Sequence, residues 1–285
     1  MPSRRTVLAA AAVVVESAIS GCTTQQSSPA GPTWLASSTP STPATHTGPD
    51  RPWVVIVPHP DDETLGAGVL IANRVGVGRE VHILLLTRGM GSVARLELNG
   101  TRSSRWWGVA HNPAVEGYTP LTPEAFGQAR RDELTTAVRA LDGGRVHEAG
   151  LADGGVEIGQ VKDALTALVA SIGPGVGVFA PSYVVDDNPD HRAAGQAVRE
   201  LAAEQPALFG EVGWYILPRY WSDPRLEQVD HYPVAPMNGQ VKNRVRNACR
   251  AYAAWHPPAS YAIGYHSVDD MFSLVDTNPR AKLHR

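Results

Sequence analysis

Two stretches of the chain hold side chains whose types and spacing suit a metal ion. The first is Pro58-His59-Pro60-Asp61-Asp62-Glu63. A catalytic zinc takes three protein ligands and keeps a fourth position open. His59 and Asp62 are three positions apart across a tight turn, so both can reach one ion. Asp61 lies between them and must point elsewhere, which leaves it free to take a proton from an attacking water. The three acidic residues also suit the start of a helix, where carboxylates cap and complement the dipole. His59, held between two prolines, makes a poor cap and a good ligand, and that favours the metal. The second stretch is Asp186-Asp187-Asn188-Pro189-Asp190-His191-Arg192. His191 is the candidate third ligand. Asp190 either orients a ligand imidazole or caps the helix that starts there.

These residues must be brought together by the fold. Short apolar, β-branched runs predict strands at 53–58, 80–87, around Val146, at 176–180 and at 212–217. Helical spacing predicts helices at 63–74, 124–141, 158–172, 190–203 and 242–254. Such alternation implies right-handed crossovers and an α/β three-layer sandwich with a mainly parallel, Rossmann-like sheet. Ligands bind at the C-terminal ends of the strands in such sheets. Both polar stretches follow a predicted strand, so the active site is expected there. Residues 88–123 have no clear period and contain Trp106 and Trp107; they are expected to form a loop or lid.

The rest of the chain sets the context. Of its 285 residues, 43 % are hydrophobic and 19 % charged, enough for a normal core. The net charge of −3 leaves no basic footprint for nucleic acid. Residues 1–22 read as a signal peptide. Arg4 and Arg5 precede an apolar run shorter than the ~20 residues of a membrane span. Ser3-Arg4-Arg5-Thr6-Val7-Leu8 resembles a twin-arginine signal, and Ile19-Ser20-Gly21-Cys22 a lipobox whose cysteine is lipidated, although Glu16 departs from both. Residues 23–50, rich in Ser, Thr and Pro, read as a flexible tether, and 51–285 as the folded domain. An exported protein is expected, anchored to the membrane if Cys22 carries lipid. Cys249 then has no disulfide partner and is expected to be a small buried residue.

The run Pro58 to Glu63, followed by Pro189-Asp190-His191-Arg192, resembles the PIG-L/LmbE-like zinc-dependent N-acetylglucosaminyl deacetylases. The resemblance extends to Thr87-Arg88-Gly89, Arg130-Arg131-Asp132-Glu133-Leu134 and Gly150-Leu151-Ala152-Asp153-Gly154-Gly155, and so covers roughly residues 53–200. It implies Zn2+ held by His59, Asp62 and His191, Asp61 as general base, and Arg130 and Asp153 as substrate contacts. The implied substrate is an N-acylated amino-sugar conjugate, with a glycopeptide pseudoaglycone among the candidates. One departure is Asn188, where many relatives carry histidine. An amide can donate a hydrogen bond to an oxyanion but cannot deliver a proton, so either Asp61 serves as both base and acid or a histidine such as His256 or His266 enters the site. Trp106, Trp107 and Trp214 either offer platforms for a sugar or aromatic ring or, as is commoner for tryptophan, pack in the core or the lid. Two rivals remain at this point. One is a non-catalytic carbohydrate-binding lipoprotein, which Asn188 favours and Asp61 opposes. The other is a dinucleotide-dependent oxidoreductase, opposed by the acidic run before Gly66 and Gly68 and by the lack of a Gly-x-Gly-x-x-Gly motif.

Overall fold

The computed structural model describes residues 48–285. The expected signal peptide and most of the tether lie outside the described residues. Gly48–Asp50, assigned above to the tether, form a single 3-10 turn.

In chain order the elements are β1 (Trp53–Val57), α1 (Asp62–Leu65), α2 (Gly68–Gly76), β2 (Val81–Leu85), α3 (Ala94–Leu98), α4 (Pro113–Glu116), α5 (Pro123–Ala140), β3 (Arg145–Glu148), α6 (Ile158–Ile172), β4 (Val176–Pro181), α7 (Pro189–Glu204), β5 (Phe209–Tyr215), α8 (Gly239–Ala251), β6 (Trp255–His256), β7 (Ser260–Tyr261), α9 (Ile263–Thr277) and β8 (Leu283–His284). Six strands make one sheet in the order β3-β2-β1-β4-β5-β8. All neighbours are parallel except β5 and β8. The α/β sandwich with a mainly parallel sheet is therefore present as expected.

Successive residues of a strand face opposite sides of the sheet, and here both sides are covered. Val55, Val57, Ile83 and Leu85 pack with Leu70 and Ile71 of α2, Leu134 of α5, Val245 of α8 and Phe272 of α9. Val54, Ile56, Leu84 and Leu86 pack on the other face with Val161 and Leu165 of α6 and Ala194 and Val198 of α7. This two-sided burial is why the central strands read as continuous apolar runs.

Strand order reverses between β1 and β4, where chain leaving the two strands diverges and opens a crevice. The segment after β1 carries Pro58 to Glu63, and the segment after β4 carries Asp186 to His191.

Three local departures bear on the site. The helix predicted at 63–74 is two helices, α1 and α2, interrupted at Gly66-Ala67. A Cβ at Gly66 would run into the Tyr215 ring, whose hydroxyl donates to Ile56 O at 2.9 Å. Residues 88–123 are not structureless: Ala94, Leu98, Tyr118 and Leu121 form a small core with Phe126 and Ile263. The long helix α9 was not predicted.

Candidate metal centre and active-site cavity

At the β1/β4 crevice lies a cavity of about 390 Å³, walled by His59, Asp61, Asp62, Arg130, Asn188 and His191 among others. His59 follows β1 directly, Asp62 opens α1, and His191 lies in the first turn of α7. His59 Nδ1 is 2.9 Å from His191 Nε2 and 3.7 Å from Asp62 Oδ2. His191 Nε2 is 3.2 Å from Asp62 Oδ2. Bonds of about 2.0–2.1 Å at tetrahedral angles place neighbouring donor atoms ~3.3 Å apart, close to the mean of these three separations. The structure thus brings the three predicted ligands to one point, and the donor set fits a zinc-sized cation.

The other nitrogen of each imidazole meets carboxylate. His59 Nε2 is 3.2 Å from Asp190 Oδ2 and 3.2 Å from Asp153 Oδ1. His191 Nδ1 is 2.9 Å from Asp186 Oδ2. Carboxylates behind metal-binding histidines fix ring orientation and tautomer. Asp190 therefore meets the His59 imidazole, and the helix cap is Asn188. Its Oδ1 accepts from Asp190 N at 2.9 Å and His191 N at 3.4 Å. Asn188 also lines the cavity, and with its oxygen so engaged its amide nitrogen is the donor it has free of these bonds.

The centre is strongly anionic. Burial alone would lower the His191 imidazole, but the charge of Asp62 and hydrogen bonds to Asp186 and Asp62 outweigh it, lifting it to about 10. Burial pushes the Asp62 carboxyl up, yet His191 and His59 hold it below the ordinary range. Such a field suits a cation.

Asp61 stands apart from this grip. It is 7 % exposed and its Oδ2 accepts from Arg130 Nη2 at 2.9 Å. Burial raises its carboxyl to about 6, against the lowering effect of the Arg130 charge. Arg130 also donates from Nη1 to Gly89 O at 3.0 Å and from Nη2 to Pro60 O at 2.7 Å. Glycine at residue 89 is required there: it has φ +63°, and a Cβ would collide with the guanidinium.

The residues expected to touch substrate are therefore already engaged. Arg130 lines the cavity, but its observed partners are Asp61 and two carbonyls. Asp153 also lines it, with Oδ1 toward His59 and Oδ2 accepting from Gly91 N at 2.6 Å. The structure decides between several open alternatives. Among the described residues, His256 and His266 do not line this cavity. His256 is exposed in β6. His266 is buried against Ser104 Oγ at 2.8 Å, and burial drives its pKa down to about 3. Nor do the three tryptophans line it. Trp214 is a core residue donating to Gly195 O at 3.0 Å, Trp106 packs on Tyr265 and His266, and Trp107 on His111 and Trp255. Trp106 and Trp107 pack because their part of the 88–123 segment folds onto α9, whereas Gly91, Ser92 and Val93 of the same segment line the cavity. Cys249 is fully buried, as expected.

Sequence reasoning quoted Asp186 and Glu63 within the two stretches but missed their contacts, Asp186 with the His191 ring and Glu63 with the Asp61 amide. Asp186 precedes His191 by five positions, and only the turn from β4 into α7 brings the two together. The far wall of the cavity, with Arg219, Tyr220, Ser267 and Met271, comes from segments that carried no motif.

Residues 54–202 match the family described as PIG-L: GlcNAc-PI de-N-acetylase, and the chain belongs to that family. Among curated relatives, the 1D-myo-inositol 2-acetamido-2-deoxy-alpha-D-glucopyranoside deacetylase of Streptomyces avermitilis is 28 % identical over 198 residues, covering 61 % of this chain and 62 % of that protein. The protein of the same name from Mycobacteroides abscessus is 28 % identical over 190 residues, covering 60 % of each chain. The chain thus spans about three fifths of the length of the curated relatives it matches. Among solved structures, a deacetylase of the teicoplanin biosynthesis pathway superposes with a TM-score of 0.55 at 14 % identity, over 82 % of this chain and 96 % of that one. The N,N'-diacetylchitobiose deacetylase from Pyrococcus horikoshii gives 0.51 at 18 % identity, over 79 % and 76 %. At these identities the superpositions show a shared fold.

Proposed function

We propose that this protein is a zinc-dependent hydrolase that removes the N-acetyl group from a glucosamine-type amino-sugar conjugate. The observation that carries the reading is the meeting of His59, Asp62 and His191 at one point, with Asp61 beside them and outside their grip. The names of the family and of the curated relatives support the substrate class.

His59, Asp62 and His191 would hold a zinc ion, which would supply Lewis acidity toward the acyl oxygen and a lowered water pKa. The chain's own groups do the rest. Asp190 and Asp186 hold the two imidazoles in the orientation that presents His59 Nδ1 and His191 Nε2. Asp61 accepts the proton of the attacking water as its oxygen adds to the acyl carbon. The Asn188 amide donates to the carbonyl oxygen as negative charge builds there. Asp61 then returns the proton to the sugar nitrogen, the carbon–nitrogen bond breaks, and acetate and a free amine remain. Asp61 serves as both base and acid, since neither His256 nor His266 reaches the cavity. Arg130 keeps Asp61 ionised and aimed.

The work is proposed to take place outside the cytoplasm. Support comes from the twin-arginine-like Ser3 to Leu8 and the lipobox-like Ile19 to Cys22, and cell fractionation with a Cys22→Ser variant tests it. The activity is tested by metal analysis together with acetate release from a panel of N-acetylglucosamine conjugates. Turnover is expected to stop on chelation and return with zinc. Asp61→Asn is expected to keep its metal and lose on the order of 10² or more in kcat. Full turnover in that variant, or in metal-stripped protein, defeats the assignment. The binding-protein alternative predicts saturable sugar binding without acetate release, and a free carboxylate beside the metal has no use in it.

A further inference from the structure

Asp61 adopts φ +132° and ψ −31°, a region nearly closed to residues that carry a Cβ. Something must hold it there. Its carbonyl accepts from Thr64 N and Leu65 N at 3.1 and 3.0 Å, ordinary bonds at the start of α1. Its amide N–H, which the flipped backbone turns inward, donates to Glu63 Oε2 at 3.1 Å.

Glu63 is fully buried, unlike a glutamate that merely favours the start of a helix from solvent. Its Oε1 accepts from Thr64 Oγ1 at 2.6 Å and from Tyr252 Oη at 2.9 Å. Tyr252 follows the last turn of α8 and is 1 % exposed, with its ring 4.9 Å from that of Phe272. Three donors therefore converge on one carboxylate, which has only acceptors to offer. Tyr252 lies beyond the 54–202 segment that matches the family.

We propose that Glu63, anchored by Tyr252, is a brace that holds Asp61 in its positive-φ conformation and so aims its carboxylate at the attacking water. The proposal rests on the reading of Asp61 as the base. Both brace residues are positioning residues, acting only through the Asp61 amide. Tyr252, at the end of α8, thereby supports a centre whose candidate ligands and base come from the matched segment.

The test uses the full chain with zinc. Tyr252→Phe removes one anchor and is expected to lower kcat by about 3- to 10-fold. Glu63→Leu removes the brace and is expected to lower it by about 10²-fold or more. Glu63→Gln can still turn its amide oxygen to the Asp61 N–H and its nitrogen to the two hydroxyls, so it is expected to restore most of the loss. KM and metal content should stay at wild-type values in all three. In a double variant the Tyr252→Phe effect should vanish once Glu63→Leu is present. Wild-type kcat in folded, metal-replete Glu63→Leu, or an undiminished Tyr252→Phe effect in the double variant, overturns the proposal. If Glu63→Leu does not fold, Tyr252→Phe decides, and an unchanged kcat overturns it. Should the wild-type protein release acetate from no conjugate, the activity reading has failed and amide exchange tests the brace instead. The Asp61 amide should then exchange about tenfold faster in Tyr252→Phe, and an unchanged rate overturns the brace itself.

Discussion

Replacing Arg130 with Met removes the guanidinium that faces the proposed base. The guanidinium lies 2.9 Å from Asp61 Oδ2, and the two side chains are only 6 % and 9 % exposed, so water screens the pair little. At an effective dielectric near 20, unit charges about 4 Å apart interact by about 4 kcal/mol. An arginine so placed lowers an aspartate by about 1–3 pKa units. Burial already holds Asp61 at about 6 with Arg130 present, so removing the cation must push it higher. A base works ionised, and activity therefore falls as pH drops through its pKa. The acid limb of the kcat/KM profile should move to higher pH by about 1–3 units in Arg130→Met. Arg130→Lys keeps the charge but loses the fork that also grips Gly89 O and Pro60 O. Its acid limb should stay near the wild-type position while kcat drops. The assay is a pH series of acetate release with zinc content checked at each point. A limb that stays put in metal-replete Arg130→Met, or moves to lower pH, refutes the electrostatic argument. Stability provides a second readout: breaking a buried pair from one side costs about 3–5 kcal/mol, which lowers Tm by roughly 6–20 °C in a domain of this size.

Two further variants separate roles that coincide in one residue. Asn188→Ala should lose both the helix cap, about 1 kcal/mol, and the oxyanion donor, on the order of 10²–10³ in kcat; Asn188→Asp keeps the cap, so a kcat loss with unchanged Tm identifies the donor, and equal kcat discards it. Glu133, fully buried, accepts from the amides of Ile263 and Gly264 at 2.9 and 3.2 Å, and burial lifts its pKa from 4.5 to about 8 against those bonds. Its protonated form is favoured in the folded state, so its contribution to stability is full below about pH 4.5 and lost as pH rises through about 8. Denaturant titrations of wild type and Glu133→Gln should diverge across that window with a slope approaching about 1.4 kcal/mol per pH unit, and parallel curves would count against it.

The same glutamate explains part of what the sequence hid. Helix α9 starts at Ala262, which has φ +51° and offers no capping side chain. Its first amides are met by Glu133, from a helix 130 positions earlier. The helix is broken again at Val268, at φ −149° and ψ 54°, so its buried residues follow no single period. Neither its start nor its spacing is written locally. The central strands and α5, α6 and α7 were legible for the opposite reason. Two-sided burial and one-sided amphipathicity are properties of contiguous residues, and Thr122 and Asn188 cap their helices from the adjoining position.

The centre divides along the same line. His59, Asp62 and Asp61 share one turn, and His191 falls at the next strand end that the crevice rule selects, so residue type and spacing sufficed to mark them as candidates. What surrounds them depends on which carboxylate meets which donor, and that is fixed by pairs such as Arg130 with Asp61 and Tyr252 with Glu63, 69 and 189 positions apart. Arg130 shows the consequence. A motif resemblance marks it as important, and its cationic charge suggests a hand for the substrate. The closeness of α5 to the turn after β1 also sets it on Asp61. A substrate role would leave Arg130→Met with a raised KM and an unmoved acid limb, whereas a role through Asp61 moves the limb. The 2.9 Å contact with Asp61 is the ground for expecting the second.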